Sequence, residues 1–207
     1  MLCSPGSVRA VRVPVFSGRF LSCSALHREV VVRAGRLWSV VAAGLLTVLV
    51  TGTGPAVGQE QYAQAGLDAH NRYRARHGSP PMTLVQDLVG KAGQCAQYYA
   101  EKAQIDHSCP YKGGAGENLY MAFGGTADAV QQVRTAVQMW YDEIKDYDYA
   151  KPGFAVNTGH FTQVVWKAST RLGIGFATKN DKHIVVALYL EHGNVSGQFE
   201  ANVPRPR

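Results

Sequence analysis

A chain of 207 residues, 46% of them hydrophobic and 17% charged, is long enough for one globular domain with an appendage. Its net charge of +6 invites a nucleic-acid partner only until its distribution is read. Residues 1–58 hold six arginines (Arg9, Arg12, Arg19, Arg28, Arg33 and Arg36) against Glu29, or +5, which leaves +1 for the remainder. A body so nearly neutral lacks the net positive charge that made nucleic acid attractive, and no nucleic-acid partner is expected.

Within the appendage, Leu37 to Val50 is an apolar block behind the Arg-rich flank, followed by Gly52, Gly54, Ala56 and Gly58. A basic flank, an apolar stretch of about 7–15 residues and a small-x-small site make up a secretory signal. Cleavage is expected after Ala56-Val57-Gly58, before Gln59. A membrane anchor over 37–50 is the alternative, although a spanning helix needs about 20 apolar residues. The chain thus divides into a basic extension with signal peptide, 1–58, and a folded domain, 59–207.

Glu60 to His77 places Tyr62, Ala65, Ala69 and Tyr73 at helical spacing, and Gly78-Ser79-Pro80-Pro81 ends the pattern. A second helix is predicted from Gln86 to Gln104, with Leu88, Ala92, Cys95, Ala96, Tyr99 and Ala103 on one face. Gly90 and Gly93 weaken it by about 1 kcal/mol each relative to Ala. The third helix has Thr126 as its expected N-cap and Asp128 in its first turn. Its stripe runs through Val130, Val133, Val137, Trp140, Ile144 and Tyr147. Glu143 falls beside this stripe, at the border between core and solvent.

The C-terminal part reads as β structure. Leu172 to Ala177 and Ile184 to Leu190 flank the polar turn Lys179-Asn180-Asp181-Lys182, which predicts an antiparallel hairpin. The second run is apolar on both faces, as expected of a central strand covered on both sides. With a short strand near Asn118 to Ala122, the expectation is an α+β fold, an α-β-α sandwich whose small, mainly antiparallel sheet lies between helices.

Cys3 and Cys23 leave with the extension, so Cys95 and Cys109 remain. In an exported protein they suit a disulfide. Cys95 on an apolar helix face equally suits a buried free thiol. The Cα separation decides between these.

Four residues carry candidate chemistry: His107, Glu117 in Gly116-Glu117-Asn118-Leu119, Glu143, and His160 in Gly159 to Trp166. Two imidazoles and two carboxylates form a set suited to a divalent metal or to acid/base work. A hydrolase would draw its nucleophile from Ser108 or Cys109, and no Gly-x-Ser-x-Gly elbow is present to position a serine.

Taken together, His70-Asn71-x-Tyr73-Arg74, His77-Gly78-x-Pro80-Pro81, His107-Ser108, Gly116 to Leu119, Trp140-Tyr141-x-Glu143, Gly159 to Trp166 and Gly193-Asn194-Val195 resemble the CAP superfamily of cysteine-rich secretory, venom-allergen and pathogenesis-related proteins. The similarity is nearest in flavour to the Golgi-associated pathogenesis-related branch, although the Met-Gly start of that branch is replaced here by Met1-Leu2-Cys3. The resemblance implies that His107, Glu117, Glu143 and His160 line one cleft able to bind Zn²⁺, while His70 and His77 fall outside the set, at the surface or a helix end. It also implies that Tyr147, Tyr149 and Phe154, an aromatic-x-aromatic-x4-aromatic pattern, belong to a loop linked to sterol binding; the same rings could instead close the core. The expectation is a secreted, non-catalytic domain that binds a sterol or fatty acid, with peripheral membrane contact, and a divalent metal. The alternatives are a metal-dependent hydrolase and a defence or host-contact module.

Overall fold

The computed structural model describes residues 55–126 and 128–207. The signal or anchor at 37–50, Cys3 and Cys23 lie outside these residues. Helix α1 spans Pro55–Arg76, so it begins four residues before the expected domain start. Proline suits the first helical turn because its missing N–H has no partner there in any case. Strand β1 (Thr83–Leu84) leads into α2 (Gln86–Lys102), and β2 (Gly116–Phe123) precedes α3 (Ala129–Asp142). After a short 3₁₀ turn at Glu143–Asp146 come α4 (Gly159–Val165), β3 (Arg171–Lys179), β4 (Lys182–Leu190) and α5 (Phe199–Asn202). No helix among the described residues is long and apolar enough to cross a membrane.

The sheet order is β1-β3-β4-β2. Both pairings of β4 are antiparallel and β1 joins β3 in parallel, so the sheet is mixed, and β1 was not visible as a strand in the sequence. The hairpin turns over Asn180 and Asp181, at φ 48° and 63°. Two consecutive positive-φ residues match a two-residue type I′ turn, whose twist suits the flanking strands.

As its two-sided apolar pattern predicts, β4 is interior and covered on both faces. Val185, Ala187 and Tyr189 join the core cluster built with α1, α3 and α4. Ile184, Val186 and Leu188 join the second cluster, built with α2. The architecture is therefore an α-β-α sandwich. Glycine is required where α2 crosses β3: a Cβ on Gly173 would stand 2.3 Å from the Leu88 backbone, and one on Gly175 2.0 Å from that of Ala92.

Two local expectations are corrected. Asp128, not Thr126, is the N-cap of α3; its carboxylate accepts the Gln131 N–H at 2.7 Å, while Thr126 Oγ1 accepts the Asp128 N–H at 3.1 Å. A cap must stand one residue before the first helical position, and Asp128 does. His70 and His77 are fully buried rather than superficial. Each closes its polar balance internally: His70 on Gly66 O (2.7 Å) and Tyr189 Oη (2.8 Å), His77 on Pro204 O (2.7 Å) and Tyr141 Oη (3.0 Å).

Candidate functional site

The carboxylate of Glu143 stands where α3 gives way to the 3₁₀ turn, and it faces the start of α4. One oxygen accepts the backbone N–H groups of His160 (3.0 Å) and Phe161 (3.1 Å); the other accepts from His160 Nδ1 at 2.6 Å. A helix start exposes unpaired N–H groups and partial positive charge, so a carboxylate there is both bonded and electrostatically favoured. The same residue thereby anchors α4 and fixes the imidazole. His160 is further held by the Trp140 ring, stacked at 6.3 Å between centroids and 23° between planes. Asn118 Nδ2 donates to its carbonyl at 3.1 Å.

The second pair is built differently. Glu117 lies on β2 with its side chain only 2% exposed. It accepts from His107 Nδ1 (2.8 Å), from Lys112 Nζ (3.2 Å) and from Tyr99 Oη (3.1 and 3.2 Å). Such a buried carboxylate requires these donors, because an unpaired charge in the interior is strongly disfavoured. His107 sits in the loop between α2 and β2 at φ 61°, a left-handed conformation that costs an L-residue about 1–2 kcal/mol. Its side chain remains 56% exposed.

His107, Glu117 and His160 line one cavity of about 320 Å³, together with Asn118, Phe154 and Asn194. Glu143 does not line it; it stands behind His160. In both pairs Nδ1 is engaged by a carboxylate, and neither Nε2 has a hydrogen-bond partner among the described residues. That arrangement fixes the tautomer with hydrogen on Nδ1 and leaves Nε2 as the donor toward a metal. Among the described residues no group of three or more His, Cys, Asp or Glu gathers as a ready-made metal cluster.

Asn118 and Asn194 are site residues that the chemical reading passed over. Asn194 donates to Gly159 O (2.9 Å) and accepts from Thr162 Oγ1 (2.5 Å), tying the C-terminal segment to α4. Their only signal was membership in the motifs Gly116 to Leu119 and Gly193 to Val195. A larger open groove of about 740 Å³ lies along α2, walled by Tyr62, Tyr98, Tyr111 and Phe176, and none of the candidate site residues lines it.

The three aromatic candidates part company. Tyr147 is buried in the core, 4.8 Å edge-to-face from Tyr149 and 5.5 Å from Phe161. Tyr149 is partly buried against the same cluster. Phe154 is 62% exposed and lies at the cavity, where its ring packs so closely on Gly159 that a Cβ there would meet it at 2.9 Å.

Cys95 and Cys109 are joined in a disulfide, with Cα atoms 5.5 Å apart. Cys109 is thus unavailable as a nucleophile while oxidised. Ser108 Oγ donates to Asp106 Oδ1 at 2.6 Å and accepts from Lys102 Nζ at 2.8 Å. Neither imidazole activates it.

Comparison with known proteins identifies the family and the fold. Residues 67–189 match the family described as CAP, cysteine-rich secretory protein family. The chain is 39% identical over 152 residues to Golgi-associated plant pathogenesis-related protein 1 of Homo sapiens, covering 72% of this chain and 96% of that protein. It is 38% identical over 144 residues to secreted protein RBT4 of Candida albicans, covering 66% of this chain but 37% of the relative. Among solved structures, the crystal structure of NaASP2 with Zn²⁺ shares the fold at a TM-score of 0.58 and 21% identity, over 72% of this chain and 87% of that one. The chain belongs to the CAP family of cysteine-rich secretory proteins.

Proposed function

We propose that this is an exported CAP domain whose cleft binds a divalent metal, zinc first, and whose cleft rim holds a small hydrophobic ligand such as a sterol or fatty acid. One observation carries the metal reading: two imidazoles on the same cavity, each tied to a carboxylate through Nδ1 and free at Nε2. The donor set suits zinc, for which neutral imidazole nitrogen is a preferred ligand and a carboxylate on the far nitrogen is a common support. With two protein nitrogens, the ion would complete its shell with water, so binding is reversible. Supporting export is the signal-like segment at 37–50 together with the secreted relative in Candida albicans. Supporting the hydrophobic ligand is Phe154, exposed beside the cleft.

Titration calorimetry with zinc chloride tests the metal reading. Wild type is expected to bind and a His107→Ala/His160→Ala variant to lose at least tenfold in affinity. Equal affinity in the two proteins would refute the assignment.

A further inference from the structure

We infer that the Cys95–Cys109 disulfide and Tyr99 are positioning devices for the His107–Glu117 pair, so that the metal affinity of the cleft depends on the oxidation state of that disulfide. The metal half of this inference rests on the reading proposed above; the positioning half stands on its own geometry.

His107 lies in a segment without regular secondary structure, between the end of α2 at Lys102 and the start of β2 at Gly116. It combines a left-handed backbone with a half-exposed ring, so packing alone does not hold it. What holds it is a relay that starts on α2. Cys95 is fully buried on the inner face of that helix, and Cys109, two residues after His107, is bonded to it. Tyr99 follows Cys95 by four residues, which places both on one helical face. Its hydroxyl accepts the Cys109 N–H at 3.0 Å and donates to both oxygens of Glu117. Burial, and the carboxylate beside it, push the Tyr99 phenol up, so it keeps the proton it donates. Glu117 then accepts from His107 Nδ1, and Lys112 Nζ reaches both Glu117 and the His107 carbonyl. Each member of the relay fixes the next.

The other imidazole has no such dependence. His160 is built into α4, bonded to Glu143 and stacked on Trp140. Breaking the disulfide therefore loosens one of the two nitrogen donors and leaves the other in place. A dithiol reductant supplies two electrons and two protons, the sulfur–sulfur bond becomes two thiols, and the reductant leaves as its own disulfide. The loop then keeps only its hydrogen bonds, and the ordering of His107 must be supplied at the moment a metal binds.

The test compares wild type, Cys95→Ser/Cys109→Ser and Tyr99→Phe, the serine variant avoiding thiol ligands that would themselves take zinc. Zinc affinity is read by calorimetry and the state of each imidazole by ¹⁵N NMR. Wild type should show His107 held in the Nδ1–H tautomer. Both variants should show it averaging between tautomers and should bind zinc tenfold or more weakly, with the His160 signals unchanged. Tyr99→Phe keeps the ring and the disulfide and so tests the hydroxyl's part alone. If the serine variant does not fold, the His107 signals of wild type before and after reduction by a dithiol test the disulfide's part, and unchanged signals would overturn it. Identical His107 signals in wild type and Tyr99→Phe would overturn the inference. If wild type binds no zinc, the metal reading fails, and the His107 signals alone still decide the positioning.

Discussion

At the scale of single residues, burial decides the charge state of groups that would titrate freely on a surface. His70 Nδ1 meets Gly66 O and Nε2 meets the Tyr189 hydroxyl, so the neutral ring with hydrogen on Nδ1 is satisfied at both nitrogens. Burial accordingly lowers its pKa to about 4, while Tyr189 is pushed up and keeps its proton. His77 is lowered by burial in the same sense. Between about pH 6.5 and pH 4 the unfolded chain binds protons that the native protein does not, so stability is complete above about 6.5 and falls with pH through that window. His70 alone accounts for about 3 kcal/mol over that range. Urea unfolding at pH 7.5 and 4.5 measures this, and a stability unchanged between them would contradict it. Arg74 shows the opposite solution: its buried guanidinium, lowered by burial to about 10, donates to the carbonyls of Pro80, Val164, Trp166, Lys167 and Ser169. It ties α1 to the segment around the end of α4.

At the scale of elements, the loop from Tyr147 to Phe154 places its rings in two environments that its sequence pattern treats as one. Tyr147 and Tyr149 face the core, whereas Phe154 faces solvent and the cleft. Truncating Tyr149 should therefore lower the melting temperature. Truncating Phe154 should leave folding unchanged and remove ligand contact worth roughly 1.5–3 kcal/mol if the ring is covered on binding, a loss of tenfold or more in sterol affinity. A labelled-sterol assay run beside thermal unfolding of Tyr149→Ala and Phe154→Ala separates the two. Normal sterol binding by stable Phe154→Ala would remove the rim from the site. The helix–turn junction after Asp142 matters in the same way, since Glu143 leaves the α-helical path there and becomes the anchor of α4.

For the whole molecule, export predicts a mature N-terminus near Gln59, readable by N-terminal sequencing of secreted protein; a product that retains 37–50 and partitions with membranes would favour an anchor. A cut there would fall within α1 as the structure draws it, which begins at Pro55. Much of the architecture was legible in the chain because period and polarity are local properties. The two-sided apolar run of β4 implied helices above and below it, the Asn180-Asp181 turn implied the hairpin, and the stripe of α3 implied its buried face. The motifs also singled out His107, Glu117, Glu143 and His160, which the fold brings together as two His–Glu pairs. Contacts between distant segments were not legible. The parallel pairing of β1, the burial of His70 and His77, the relay through Tyr99, and the division of labour between Glu117 in the cavity and Glu143 behind it all depend on residues far apart in the chain. A sequence specifies which side chains are apolar or ionisable, whereas the partner that satisfies each buried group is chosen only when the layers close on one another.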